Sequence, residues 1–326
     1  MNGNLVYILI YVDDVIIASA NNKNKEEITN ILKEEFKIKD LGELKYYLGI
    51  QIEKDDTGVY FMHQEKYIDK ILNNFSLTDA KISKTPIDPG YMKNTDSTNL
   101  MNNEQYRKAI GALLYISCNT RPDIAASVSI MSRKVSSPTQ YDWIQVKQIL
   151  RYLKGTKSLK LMVGDSNKDH KNQVIGYADA DWAGNVPDRK STSGYIFQYK
   201  GATISWSSRK QSCVALSSTE AEYVAIAEAC QEAKYLKQVL DDFCENIDNN
   251  VLIYEDNQSC LKLLDVEKMS QRTKHIDIKY HFARDLKEKQ MVSFSYCPTT
   301  EMKADLLTKP LQHIRLKTWA NAVGLM

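Results

Sequence analysis

Four acidic residues in the second half of the chain, Asp179, Glu222, Asp256 and Asp305, stand where carboxylates could meet. Asp179 closes the apolar, strand-like run 174–179. Glu222 falls in the first turn of a long helical segment. Asp256 follows the apolar run 251–254, at the carboxyl end of a strand, where open α/β sheets place ligands. Asp305 sits in a last helical segment. Carboxylates converging from four elements repel one another unless cations lie among them. Two divalent ions in such a site can clamp the attacking water and the leaving oxygen of a phosphodiester, and hard ions such as magnesium prefer oxygen donors. Asp181 and Glu220, each two positions away, compete for the first two places. Among 41 acids, any one taken alone reads as solvated surface. The weight therefore falls on the order of the elements and on the local sequence.

A second acidic pair, Asp13 and Asp14, lies between the β-prone runs 5–11 and 15–18 and reads as the tip of a buried hairpin. Acids at such a tip can hold a metal against a nucleotide's phosphates. Between Trp143 and Lys160 the chain carries five basic residues and no acid. Lys147, Arg151 and Lys154 recur there at i, i+4 and i+7, a helix face able to track a phosphate backbone; an ordinary solvated face is the plain alternative. Arg272, Lys274 and Lys279 form a weaker basic segment with acids mixed in. Neither face implies sequence readout, because phosphate contacts carry no base information.

The elements that must position these groups are legible from periodicity. Ile28, Ile31, Leu32 and Phe36 predict a helix over 23–37. Runs 44–53 and 59–62 predict strands joined at Asp56-Thr57-Gly58, and Ile68, Ile71, Leu72 and Phe75 a second helix. Residues 79–103, with Pro86, Pro89 and Gly90, read as a long loop. Three helical stripes follow: Tyr106, Ile110, Leu113 and Leu114; Ile124, Val128, Met131 and Val135, opened by Pro122; and Val146, Ile149, Leu150 and Leu153. After a polar linker at 166–172 the pattern changes. Strands are predicted at 174–179, 194–199 and 203–206, then a helix from about 219 to 240 capped by Ser217 and Glu220. A buried parallel strand at 251–254 follows, then helices at 258–265 and 273–289, a strand at 292–296 and a helix at 299–308. The fold class is α/β (α+β), with a mixed sheet and flanking helices in the second half. The domains are expected at 1–90, 91–165 and 172–312, with 313–326 as a C-terminal tail.

Composition excludes several classes. With 43% hydrophobic and 26% charged residues the chain is an ordinary globular one, and its 326 residues suggest two or three domains. No apolar run approaches the roughly 20 residues of a membrane helix, and no signal peptide is apparent. A net charge of +2 means that any nucleic-acid surface must be local. Cys118, Cys213, Cys230, Cys244, Cys260 and Cys297 contain no C-x-x-C pair and read as reduced core thiols.

The local sequence carries a resemblance. Gly176-Tyr177-Ala178-Asp179-Ala180-Asp181-Trp182-Ala183-Gly184, Arg189-Lys190-Ser191-Thr192-Ser193-Gly194-Tyr195, Ser217-Ser218-Thr219-Glu220-Ala221-Glu222-Tyr223, Glu255-Asp256-Asn257-Gln258-Ser259, Lys274-His275-Ile276-Asp277 and Ala304-Asp305-Leu306-Leu307-Thr308-Lys309-Pro310 resemble the ribonuclease H domain of copia-type LTR retrotransposon Pol polyproteins. Tyr11-Val12-Asp13-Asp14, Phe36 to Gly42, Tyr47-Leu48-Gly49-Ile50, Thr120-Arg121-Pro122-Asp123 and Ile149 to Thr156 resemble the end of its reverse transcriptase, as palm, thumb and connection. The resemblance implies a ribonuclease H-like fold with an Asp-Glu-Asp-Asp metal site at Asp179, Glu222, Asp256 and Asp305. Asp179 is preferred over Asp181 because it continues the strand, and Glu222 over Glu220 because it stands just before the helical run at Tyr223. Two Mg2+ ions, with Mn2+ as a substitute, are the implied cofactors. Asp13 and Asp14 would be the metal ligands of a polymerase remnant. The implied partners are an RNA/DNA hybrid and an upstream polymerase region or other polyprotein products, with no membrane. The implied setting is a cytoplasmic virus-like particle or the nucleus, not the secretory route. The expected activity is hydrolysis of the hybrid's RNA strand, with no DNA synthesis by this chain alone; the alternative is a decayed or domesticated nucleic-acid-binding fragment. The segment Cys297 to Glu301 departs from many ribonuclease H enzymes in offering no histidine.

Overall fold

A computed structural model describes residues 5–93, 98–164, 172–243, 250–265 and 277–326. The chain divides into two compact units, Met1–Glu53 and Lys54–Met326. In the first unit, strands β1 (Val6–Tyr11) and β2 (Asp14–Ser19) pair antiparallel with Tyr11 opposite Asp14, so the turn is only Val12 and Asp13. The hairpin is present as expected, but it is not buried: Ile10 is 68% and Val12 83% exposed. Two strands leave two faces to cover, and helix α1 (Asn22–Glu35), capped by the Asn21 side chain, buries none of its own residues. Strands β3 (Tyr46–Tyr47) and β4 (Ile50–Lys54) form a second hairpin. Leu48 and Gly49 at its turn both have positive φ, the conformation that matches the right-handed twist of paired strands.

In the second unit, Asp55 opens strand β5 (Tyr60–His63) by accepting the Thr57 and Val59 N–H groups, both at 2.9 Å. Helix α2 (Glu65–Asn74) buries Ile68, Ile71 and Leu72, three of the four residues that predicted it; Phe75 follows as the cap. The three helical stripes become α3 (Glu104–Asn119), α4 (Ala125–Ser132) and α5 (Gln140–Gly155). Pro122 lies in a 3-10 turn that leads into α4, and a reciprocal Thr139–Asp142 capping box starts α5. Strand β6 (Leu161–Met162) returns antiparallel to β5. Arg121 is the largest fully buried side chain here. Its guanidinium grips Asp123 with two hydrogen bonds, 2.9 and 2.7 Å, and also donates to the Thr156 carbonyl and hydroxyl. Tyr152 donates to the same Asp123 carboxylate at 2.6 Å. Both charges are thus satisfied, and the start of α4 is tied to the end of α5.

The expected mixed sheet follows. Strands β7 (Val174–Asp181), β8 (Thr192–Tyr199) and β9 (Ala202–Lys210) are antiparallel neighbours. Helix α6 (Ser218–Asp242) leads to β10 (Val251–Glu255), then α7 (Gln258–Leu263), α8 (Asp277–Glu288), β11 (Val292–Tyr296), α9 (Asp305–Thr308) and α10 (His313–Ala322). The sheet order is β11-β10-β7-β8-β9, with β10 parallel to both β7 and β11. The last predicted helix, 299–308, is real only as the single turn α9; residues 298–304 are a succession of tight turns.

The boundary between the compact units falls between Glu53 and Lys54, and residues 313–326 pack into the core of the second. One core holds Ile110, Leu113 and Ile149 of the helices, Ile196, Leu306 and Leu307 of the sheet region, and Leu316, Trp319, Val323 and Leu325 of the C-terminal segment. Trp206 of β9 donates to the Ser117 carbonyl at 2.8 Å, and Lys160 and Met326 exchange two backbone hydrogen bonds. A helical stripe announces that a face is covered but not which part of the chain covers it. Removing one partner of a buried, fully hydrogen-bonded ion pair leaves the other charge stranded, at a cost of about 3–5 kcal/mol. Arg121→Ala is therefore expected to lower the unfolding free energy by about that amount in a urea titration; a loss within about 1 kcal/mol would show that the pair contributes no more than an exposed one.

A candidate metal centre at the end of the central strand

Strand β7 lies in the middle of the sheet and carries Asp179 to its carboxyl end, 4% exposed. Its parallel neighbour β10 is in register with it, Tyr254 beside Tyr177. Two residues further on stand Asp179, still in β7, and Asp256, just past the end of β10, so the register brings these carboxylates side by side. Glu222 arrives from the other direction. The Ser217 hydroxyl caps α6 by accepting the Glu220 N–H at 3.2 Å, and the Glu220 carboxylate accepts the Leu216 N–H at 2.8 Å. Glu220 is thereby spent on the cap, and Glu222, one step into the helix, is buried against the cluster. Gln211 fixes the same helix start, donating to Ser193 and to the Ala221 carbonyl, both at 2.9 Å.

One oxygen from each of Asp179, Glu222 and Asp256 lies within 4.8 Å of the other two. The Asp256 carboxylate also accepts the Thr299 hydroxyl at 2.7 Å, and Asp179 accepts the Thr308 hydroxyl at 2.5 Å. Asp305 enters on α9, which can lie against β8 because position 194 is glycine. Gly194 pairs with Asp179 across the ladder, and a Cβ there would stand 2.8 Å from Leu307 Cβ and Thr308 Cγ2. Asp305 itself is fully buried and is paired with Lys309 at 2.5 Å and with Arg315. Three of the four predicted acids are thus brought together, and the fourth faces two cations of the chain itself. Asp181, at the end of β7, is not one of the three.

Burial dominates the electrostatics. It pushes Asp179 up to about 7; Asp305 and Asp256 add to the rise, while Lys309 and the Thr308 hydrogen bond oppose it. Burial also raises Glu222 well above the usual carboxylate range, followed by the fields of Glu255, Asp179 and Asp256. Glu255 is the residue that sequence reading missed. Alternation along β10 turns it inward with Val251 and Ile253, fully buried, and burial raises its carboxyl too. One oxygen of Glu222 and one of Glu255 have no hydrogen-bond partner among the described residues. An all-oxygen donor set with an unfilled buried lone pair fits a hard divalent cation such as Mg2+.

The other predicted groups are less convergent. Asp13 lies in the turn and Asp14 begins β2; both are exposed, and among the described residues no third acid joins them in a ligand group. On α5, Lys147 lies over the Trp143 ring at 5.6 Å and Lys154 donates to the Ala80 carbonyl at 2.8 Å, so part of the expected basic face is spent on packing. Arg151 is half-buried beside them. Arg272 and Lys274 lie outside the described residues, and Lys279 falls in α8 with its side chain outside them. Lys309 and Arg315 were not singled out by sequence. The signal for Lys309 was its i+4 spacing from Asp305; nothing local signalled Arg315.

Residues 1–89 match a family described as reverse transcriptase (RNA-dependent DNA polymerase). The chain is 36% identical over 332 aligned positions to the retrovirus-related Pol polyprotein from transposon TNT 1-94 of Nicotiana tabacum, covering 99% of this chain and 24% of that protein. It is 34% identical to the corresponding polyprotein from transposon RE1 of Arabidopsis thaliana, with 99% and 22% covered. The chain thus spans about a quarter of the length of these curated relatives. Among solved structures, LC11-RNase H1 in complex with an RNA/DNA hybrid aligns with 42% of this chain and 94% of its own, at 19% identity and a TM-score of 0.32.

A carboxyl whose pKa is higher folded than unfolded contributes stability at low pH that is lost as pH rises through the folded value. For Asp179 that window runs from about 4 to about 7. Without divalent ions, Asp179→Asn is expected to gain in melting temperature relative to wild type as pH rises across this window, and added Mg2+ to stabilise wild type more than the variant. Parallel melting curves at all pH values would mean that Asp179 titrates normally.

Proposed function

Because this chain belongs to the retrovirus-related Pol polyproteins of copia-type transposons, we propose that residues 172–312 form a ribonuclease H that hydrolyses the RNA strand of RNA/DNA hybrids. The observation that carries the proposal is the convergence of Asp179, Glu222 and Asp256 from β7, α6 and the end of β10, with their oxygens within 4.8 Å of one another. Asp305 is the fourth acid of the site.

Divalent ions, when bound there, would polarise the phosphodiester and lower the pKa of the attacking water. The chain's own residues do the rest. Asp179, Glu222 and Asp256 supply the hard oxygen donors. Thr308 and Thr299 orient two of these carboxylates by donating to Asp179 and Asp256, which leaves their other lone pairs free to coordinate. The sheet, α6 and α9 hold the donors from several sides, so little reorganisation accompanies ligand binding. The hybrid would be distinguished by its shape and its 2′-hydroxyls, with phosphate contacts from Arg272, Lys274 and Lys279 and, along α5, from whatever the packing of Lys147, Arg151 and Lys154 leaves exposed.

The hairpin bearing Asp13 and Asp14 belongs to the reverse-transcriptase portion, and an upstream polymerase region is its natural partner. We assign no DNA synthesis to this chain by itself. Templated metal catalysis needs more carboxylates than the exposed pair at the hairpin tip, and none joins them among the described residues. No helix of the described residues is long and apolar enough to cross a membrane.

The purified chain with Mg2+ is expected to cut the RNA strand of a labelled RNA/DNA hybrid. Asp256→Asn should reduce the rate at least about 100-fold, equivalent to about 2.7 kcal/mol of transition-state stabilisation. Hybrid bound but uncut by wild type would favour the fragment that binds nucleic acid without turnover. In a primer-extension assay the same preparation is expected to add no nucleotides; templated extension would restore the polymerase to this chain.

A further inference from the structure

Charge is distributed unevenly across the acidic cluster. The side built by Asp179, Glu222 and Asp256 includes a glutamate, Glu222, one of whose buried oxygens has no hydrogen-bond partner among the described residues. On the Asp305 side the chain supplies its own cations. Lys309, one helical turn on, meets one Asp305 oxygen at 2.5 Å, and Arg315 of α10 meets the other. The same guanidinium donates to the Thr299 carbonyl at 3.3 Å, and the Thr299 hydroxyl donates to Asp256 at 2.7 Å. One arginine therefore touches Asp305 and also the turn that orients Asp256. Its helix is anchored in the core by Leu316, Trp319 and Ala320.

A fully buried carboxylate left without a counter-charge is costly, so Asp305 needs one cation or another at all times. Lys309 and a divalent ion would compete for the same oxygen. The lysine side chain is 35% exposed and sits on a flexible four-carbon stem, so its ammonium can withdraw toward solvent. Arg315, planar and holding two partners, is the fixed half of the pair.

Resting on the ribonuclease H reading above, we propose that Lys309 and Arg315 are built-in counter-cations of Asp305. They make the centre bind one divalent ion tightly at Asp179, Glu222 and Asp256, and a second one weakly, only as Lys309 leaves Asp305. The two are positioning residues: they act through Asp305 and Asp256 rather than on the substrate.

The test is calorimetric titration of the full-length chain with Mn2+, without nucleic acid. Wild type is expected to show a tight event that Asp256→Asn removes, and a weaker one. Lys309→Gln should tighten the weaker event at least about tenfold, a modest effect for removing a unit charge at contact distance in a partly buried site, and leave the tight event within about threefold. Lys309→Arg, which keeps the charge, should restore wild-type behaviour. Should Lys309→Gln fail to fold by circular dichroism, Arg315→Gln, on a side chain 44% exposed, carries the same expectation for the weaker event alone. A second event unchanged by either substitution would overturn the counter-cation proposal and leave the ribonuclease H reading standing. Absence of the Asp256-dependent event in wild type would overturn both.

Discussion

Like charges buried together must be compensated, and much of the architecture around the end of β7 follows from that requirement. Asp179, Glu222, Glu255 and Asp305 are all removed from water within one region. The chain meets the cost in three ways. Hydrogen bonds from Thr308 and Thr299 satisfy individual oxygens. Cationic side chains neutralise Asp305. Protonation is made easier where neither suffices, as the rise of Asp179 to about 7 indicates. What remains without a hydrogen-bond partner among the described residues, notably a Glu222 oxygen, is the demand that a bound cation would meet. A cluster that is unstable by itself is well suited to binding a cation, because the ligand then supplies the missing compensation.

The elements around the cluster are arranged to hold that instability. Parallel register between β7 and β10 aligns two of the acids. The α6 cap, reinforced by Gln211, delivers the third. The missing side chain at Gly194 lets α9 deliver the fourth. Behind α9 lies the core shared by the helices α3 to α5, the sheet and α10. The helical block and the C-terminal segment are therefore part of the support for the acidic site, and the buried Arg121–Asp123 pair stiffens that support at a distance from the chemistry.

Much of this was legible in the sequence. Strand-like runs between turns marked β7, β8 and β9; an uninterrupted apolar run marked β10 as a buried parallel strand; Ser217 and Glu220 marked the start of α6. Asp179, Glu222 and Asp256 could be chosen because each sits at the end or start of such an element. Other features were not legible, for identifiable reasons. The apolar hairpin at Asp13 and Asp14 reads as buried because periodicity reports which residues seek cover, not whether cover exists within the unit. The segment 313–326 reads as a tail because a ten-residue helix carries too short a stripe to announce its partner. Glu255 hides beside Asp256 because only the strand's facing decides which of two adjacent acids turns inward.

The sequence by itself determined the elements, their order, the mixed sheet and the acids at its edge, because hydrophobic period, caps and turns are local properties carried by neighbouring residues. Only the tertiary structure decided that Asp305 lies between Lys309 and Arg315, that Glu255 joins the buried carboxylates, and that residues 54–326 share one compact unit. Apart from the i+4 pair of Asp305 and Lys309, those outcomes depend on how separate elements pack against one another. Burial and charge compensation act through that packing, which no local pattern encodes.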